Sequence, residues 1–337
     1  MINYVYQLVS PQVFSVKYED IAFEDKVIIR PKYMAVCHAD QRYYQGKRDR
    51  KVLRKKLPMA LIHECCGEVV YDPSDTFSRG EAVILIPNVP GEKKSGIYEN
   101  YAKGAAFLSS GRDGFLQEYI ALDPNRVVSA GTVPGNIAAI SEFVSVAVHA
   151  AGRFQKLSHA CRDRIGIWGN GSLGFVVACV LRKLYPESKI IVIGRNERKL
   201  TYFSFVDEVY KPEELPEDFA VDHAFECCGG EGSYTAIEDI IRVINPQGTV
   251  MLMGVSENRV PVNTRDILEK GLLFVGSSRS GREDFEKASE FMQDPMVQNR
   301  LRLIIYEDAP VTSIDDLHRV FHNDMNTPFK TVFRWEI

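Results

Sequence analysis

Three separated segments carry side chains that together could hold a soft divalent metal. Cys37 sits in Val36-Cys-His-Ala-Asp40, the pair His63-Glu64 in Leu61-Ile-His-Glu-Cys-Cys-Gly67, and Glu142 opens Glu142-Phe-Val-Ser-Val-Ala-Val-His149. One thiolate, one imidazole and carboxylates form a donor set suited to zinc. Zinc fingers take their ligands as close pairs. Ligands drawn from distant segments, with one coordination position left open, belong instead to sites where a metal acts on a bound molecule. Each residue taken singly has an ordinary alternative, since a free cysteine packs as a small apolar group and a lone histidine commonly makes a structural hydrogen bond. That ordinary reading is assigned to Cys161, Cys179, Cys227 and Cys228, and to His38, His149 and His223.

A second constellation is Gly169-Asn170-Gly171-Ser172-Leu173-Gly174. Glycine is common, so the pattern means little alone. Here it follows the apolar run Ile165–Trp168 and opens an apolar helix, the setting of a dinucleotide-binding turn. Gly169 permits the tight turn, Gly171 lets the backbone approach a pyrophosphate, and Gly174 lets helix and strand pack closely. Free N–H groups at the helix N-terminus would then meet the phosphates. An NAD site usually places an acidic residue about 20 residues further on, at the next strand end. This chain has Gly194-Arg195 there, with Lys199 one helical turn later. Arginine grips a phosphate through paired charge-assisted hydrogen bonds, so the expected cofactor is NADPH/NADP+.

These segments need elements to position them. The chain has 337 residues, more than one core usually organises, and two domains are expected. The first part, to about residue 130, reads as short strands between turns, the texture of a small β-barrel. Pro87 to Gly114 is expected to be irregular, and Asn136 to Phe154 helical. Strands then alternate with helices through Gly276, which predicts a parallel sheet of βαβ units. Lys330-Thr-Val-Phe-Arg334 resembles a strand returning to the first domain. The expected division is 1–148 with 282–337, and 149–281.

Composition is globular, with 45% apolar and 26% charged residues and a net charge of −4. That balance gives no basic footprint for nucleic acid. No apolar run approaches the roughly 20 residues of a membrane helix, and the start lacks the pattern of a secretory signal. Seven cysteines, an odd number with two adjacent pairs, point to a reducing compartment and a cytoplasmic location.

The order Cys37, His63-Glu64, Glu142, then the glycine motif resembles the zinc-dependent medium-chain alcohol and polyol dehydrogenases along essentially the whole chain. The resemblance implies an α/β protein: a GroES-like β-barrel catalytic domain holding zinc, plus a Rossmann doubly wound parallel-sheet domain holding the cofactor. Glu142, where alcohol dehydrogenases have cysteine, looks like the sorbitol dehydrogenase variant. Met1-Ile-Asn-Tyr-Val-Tyr-Gln-Leu8, Ala39–Tyr44, Leu181–Lys189 and Val275–Gly281 are similar to the bacterial ribulose-5-phosphate reductases. That similarity implies NADPH-dependent reduction of ribulose 5-phosphate to ribitol 5-phosphate, feeding CDP-ribitol and teichoic-acid synthesis. It also implies a homo-oligomer, dimer or tetramer, and functional coupling to a cytidylyltransferase.

Three departures stand out. No cysteine lies between Cys66 and Cys161, so the four-cysteine structural zinc loop of many relatives is missing and one catalytic Zn2+ per chain is expected. Ala39 replaces the Ser or Thr that begins the usual proton relay, leaving a water held by Glu64 or Glu142, Tyr43, or Asp40 as proton sources. Phe143 replaces a proline common after the residue matching Glu142. A phosphorylated substrate needs a cationic clamp, and Arg42 to Lys56 is strongly basic. Most of it is expected to be a solvated face, with Arg42 and Arg279 as the phosphate contacts. The alternatives are another polyol or amino-alcohol as substrate, or a non-catalytic nucleotide-binding protein.

Overall fold

Runs of β-branched residues between turn residues dominate the first third of the chain, and they form strands. The computed structural model describes residues 1–337 and divides into two units, Met1–Ser145 with Arg279–Ile337, and Val146–Ser278.

In the first unit the central strand is Val27–Ala35. It pairs antiparallel with Glu64–Tyr71 on one side and with Lys330–Trp335 on the other. Ala35 faces Glu64 in one register and Val332 in the other. That register sets Cys37, His63 and Lys330 beside one another, although they come from three remote stretches of sequence. The returning C-terminal strand is buried at Lys330, Thr331, Val332, Phe333 and Trp335, and Phe333 joins Ile29, Met34, Phe115 and Phe321 in the core. A separate sheet pairs Val13–Asp20, Ile2–Ser10 and Met59–Ala60.

The basic segment forms two short helices, His38–Tyr44 and Arg50–Lys56. Cys37 is the N-cap of the first. Residues 87–114, expected to be irregular, contain a two-residue ladder between Asn88–Val89 and Ala106–Phe107 and a 3-10 turn at Glu99–Tyr101. An ion pair fastens this cysteine-free segment. Arg126 Nη1 and Nη2 donate to the two oxygens of Glu99 at 2.7 and 3.2 Å, and the Arg282 N–H donates to the same carboxylate at 2.8 Å. Bidentate charge-assisted bonds of this kind are both stronger and more directional than a single one.

The second unit is a six-stranded parallel sheet in the order Glu208–Tyr210, Lys189–Ile193, Arg164–Trp168, Val221–Glu226, Ile244–Leu252, Leu273–Gly276. Its central strands are buried almost throughout, as strands covered on both faces must be. Reversal of strand order beside Arg164–Trp168 creates the crevice at the C-terminal strand ends where such sheets bind ligands. Glu226 braces the wall that carries Cys227, Cys228 and Gly232. Its buried carboxylate accepts from the N–H groups of Cys228, Gly229 and Gly254 at 2.9, 3.2 and 2.9 Å and from the Ser233 hydroxyl at 3.0 Å. Two loops at that edge are thus held by one side chain.

Two cysteines depart from the buried reading. Cys161 and Cys228 are exposed, because one lies in the loop before Arg164–Trp168 and the other in the turn after Val221–Glu226. Cys179 and Cys227 are buried. Of the histidines, His149 and His223 are buried and His38 is exposed.

His223 carries a pH dependence. Its Nε2 donates to the Cys161 carbonyl at 3.0 Å while Nδ1 accepts from the Thr249 N–H at 3.0 Å. Only the neutral ring satisfies both, and burial, with the neighbouring His159, pushes its pKa down to about 4. The unfolded imidazole takes up its proton near 6.5, so between these values the unfolded state binds more protons. Stability is therefore intact above about pH 6.5 and is lost as pH falls toward 4, by on the order of 2–3 kcal/mol. Melting temperatures at pH 7 and 4.5 should differ less in His223→Gln than in the unaltered protein. An identical pH response in both would contradict this.

Candidate functional site

The turn before His63 is strained. Ile62, β-branched and fully buried, has φ of 68°, a conformation that such residues rarely adopt. Its N–H donates to Asp40 Oδ1 at 3.1 Å and its carbonyl accepts from the Phe115 N–H at 2.7 Å. Ser109 and Arg279 also have positive φ, 59° and 57°, and both lie around this site. Strained residues gather where the surroundings over-determine them.

Two overlapping groups of donor atoms meet at the His63 ring: Cys37, Asp40 and His63, and His63, Glu64 and Glu142, each with its donor atoms within 4.8 Å of one another. Asp40 belongs to the supporting layer. Its Oδ2 is 3.4 Å from His63 Nδ1, while Oδ1 accepts from the Ser109 hydroxyl at 2.5 Å and from Ile62. A carboxylate on the second nitrogen of a histidine is the usual means of orienting that ring toward a metal. Burial alone would raise the Asp40 pKa, but His63 and these hydrogen bonds outweigh it and hold the carboxyl below its usual range. Tyr43 is buried with the charges of Arg48 and Lys56 over its ring at 4.9 and 5.8 Å.

Lys330 is the residue that sequence reasoning missed. Its buried ammonium donates to Glu64 Oε1 at 2.5 Å and to the Val36 carbonyl at 3.0 Å, and it sits 4.8 Å from the centroid of Phe143. Burial opposes the charge, while Glu64 and Cys37 sustain it and raise its pKa. Phe143 is thus the aromatic face of this cation.

Even with Lys330 the pocket is short of positive charge. Burial pushes the Glu142 carboxyl up to about 7, with His63 and Lys330 pulling it down and Glu64 and Asp40 adding to the rise. Buried Glu64 Oε2 is left without a hydrogen-bond partner. Buried polar atoms seldom go unsatisfied. A divalent cation bound by Cys37, His63 and these carboxylates would relieve both conditions, so the residues fit zinc.

Arg279 is connected to this centre through one ring. Its guanidinium lies 5.0 Å from the centroid of Phe107, whose edge meets His63 at 5.2 Å. Arg42 lies elsewhere on the helix His38–Tyr44, where partial burial of the His38 ring and then the charge of Arg42 lower the pKa of His38.

In the second unit, Gly169, Asn170, Gly171, Arg195, Lys199 and Gly232 line one cleft. Gly169 has φ of 118°, and a Cβ there would meet the Cys227 backbone at 2.8 Å. A Cβ on Gly174 would lie 1.8 Å from the Gly169 carbonyl oxygen, whereas one on Gly171 would meet nothing within 4 Å. The first and third glycines therefore serve packing, and the middle one opens on the cleft. Ser172, Leu173 and Gly174 form the first turn of the helix Ser172–Leu184. Arg195 reaches across toward Gly232, where a Cβ would meet its guanidinium at 3.0 Å. Burial lowers the Lys199 pKa.

Residues 24–132 match the alcohol dehydrogenase GroES-like domain and residues 180–294 the zinc-binding dehydrogenase domain. Across its full length the chain is 55% identical to the ribulose-5-phosphate reductase of Streptococcus pneumoniae, covering 98% of that protein. This protein belongs to the zinc-binding dehydrogenase family. It is also 46% identical, over all of both chains, to a ribulose-5-phosphate reductase of Bacillus spizizenii. Among solved structures, TarJ of Staphylococcus aureus in complex with NADPH superposes with a TM-score of 0.88 at 43% identity, covering all of both chains. The family's GroES-like and Rossmann layers are those described above.

Lys330→Met would leave the Glu64 carboxylate buried without its cation. Breaking such a pair costs about 3–5 kcal/mol, so the variant should melt well below the unaltered protein, with Lys330→Arg recovering most of the loss. A variant of undiminished stability would show that the pair does not hold this centre.

Proposed function

We propose that this chain reduces ribulose 5-phosphate to ribitol 5-phosphate with NADPH at one zinc ion. The observation that carries the reading is the cluster of donor groups from Cys37, His63, Glu64 and Glu142, the last three buried. It is supported by the shared length and identity with the reductases and by a cleft carrying Arg195 and Lys199.

Cys37, His63, Glu64 and Glu142 supply the metal donors, and Asp40 orients the His63 ring. Lys330 neutralises one oxygen of Glu64 and leaves the other free. When bound, zinc supplies a Lewis acid for the carbonyl and NADPH supplies the hydride. Arg195 and Lys199 bind the 2′-phosphate, while the N–H groups of the turn Gly169–Gly174 face the pyrophosphate. Arg279, held against Phe107, binds the substrate phosphate; Arg42 is a weaker candidate, placed beside His38. Ala39 offers no hydroxyl, so the proton source in this reading is a water held by Glu64 or Glu142.

No helix is long and apolar enough to cross a membrane. A cytoplasmic homo-oligomer, working beside a cytidylyltransferase that consumes its product for teichoic-acid synthesis, agrees with this chemistry.

NADPH oxidation should be fast with ribulose 5-phosphate, at least about tenfold slower in kcat/KM with ribulose, and abolished by Cys37→Ser. Arg279→Ala should raise KM for the phosphorylated ketose by about tenfold, the scale of one lost charge-assisted contact, and leave ribulose little changed. Equal rates with both ketoses would refute the phosphate reading and favour an unphosphorylated polyol.

A further inference from the structure

Gly194 ends the strand Lys189–Ile193 and is buried. A Cβ built there would lie 2.2 Å from Asn170 Cγ and 2.5 Å from both its Cβ and its Oδ1. The Asn170 Cβ is fixed by its own backbone, so a rotamer change at 170 cannot clear the space. Asn170 is itself buried, and its Nδ2 donates to the Asn196 carbonyl at 2.6 Å. Asn196 in turn caps the next helix, its Oδ1 accepting from the Lys199 N–H at 3.0 Å. One side chain therefore fills the volume that a residue at 194 would need and also ties down the turn that carries Arg195 and Lys199.

That volume is chemically important. The end of this strand is where an NAD site carries the acidic residue that binds the ribose hydroxyls. An acid there would also repel a 2′-phosphate.

We propose that Asn170 sets the cofactor preference of this cleft. Its side chain keeps position 194 free of any side chain and holds the Arg195-Asn196 turn against the cleft. It is a positioning residue, acting through Gly194, Asn196 and Arg195 rather than on the reacting atoms. The proposal rests on the NADP(H) reading given above. Two substitutions separate its parts. Asn170→Ala removes the tie to Asn196 but keeps a Cβ that crowds position 194, and Asn170→Gly removes both.

The test is titration of the full-length protein with NADPH and with NADH, following nicotinamide fluorescence, with melting temperatures as a check on folding. The unaltered protein should bind NADPH at least about tenfold more tightly than NADH, about 1.4 kcal/mol. Asn170→Ala should lower that ratio about fivefold or more, through weaker NADPH binding. Gly194→Asp alone should weaken both cofactors or lower the melting temperature. Adding Asn170→Gly to it should restore folding and bind NADH about tenfold more tightly than Gly194→Asp does. Asn170→Ala weakening both cofactors alike would show a merely structural role and overturn the proposal. So would Gly194→Asp gaining NADH affinity unaided at an unchanged melting temperature. If the aspartate variants do not fold, the Asn170→Ala ratio decides alone. An unaltered protein that does not distinguish the cofactors would instead overturn the NADP(H) reading, and this proposal with it.

Discussion

Charge buried without water must be matched by charge, and the first unit is arranged around that requirement. Asp40, Glu64 and Glu142 are all buried beside His63. Ionised carboxylates in such surroundings cost several kcal/mol each unless compensated. Lys330 brings a cation to them from the strand that returns at the C-terminal end, 266 residues from its partner Glu64. The register of Val27–Ala35 against two neighbours makes this pairing possible. Lys330 satisfies one oxygen of Glu64, and burial still holds the Glu142 carboxyl at a raised pKa.

The second unit solves a different problem, the close approach of backbone to an anion. Its crevice follows from strand order, and three residue types complete it. Glycine at 169 and 174 removes volume where backbones meet. Glu226 gathers N–H donors from two loops and so fixes one wall. Arg195 and Lys199 bring cations to the opening. A cationic rim on rigid support is suited to an anionic ligand.

Much of this was legible in the sequence because residue type alone carries the signal. Cysteine, histidine and glutamate in a recurring order announce a metal, and G-x-G-x-x-G between a strand and a helix announces a dinucleotide turn. The parallel sheet was legible from its continuous apolar runs. The supporting layer was not. Lys330 is one of 41 basic residues, and only its place at the head of an otherwise buried strand hinted at a role. Ser109 and Phe107, which hold Asp40 and join His63 to Arg279, lie in a segment without periodicity. Asp40 was visible as an acid near Cys37, but the hydrogen bonds that hold it come from residues 22 and 69 positions away. Cys161 and Cys228 were misjudged because cysteine is usually buried and nothing local marked their loops as exposed.

The central claim is that the cluster around His63 is one metal site and that the cysteine-free segment 87–114, held by Arg126 and Glu99, needs none. Elemental analysis of protein purified without chelators measures this directly. One zinc per chain, lost together with activity on dialysis against a chelator and regained with it, is the expected result. Full activity in metal-free protein, or two tightly held ions per chain, would contradict the account.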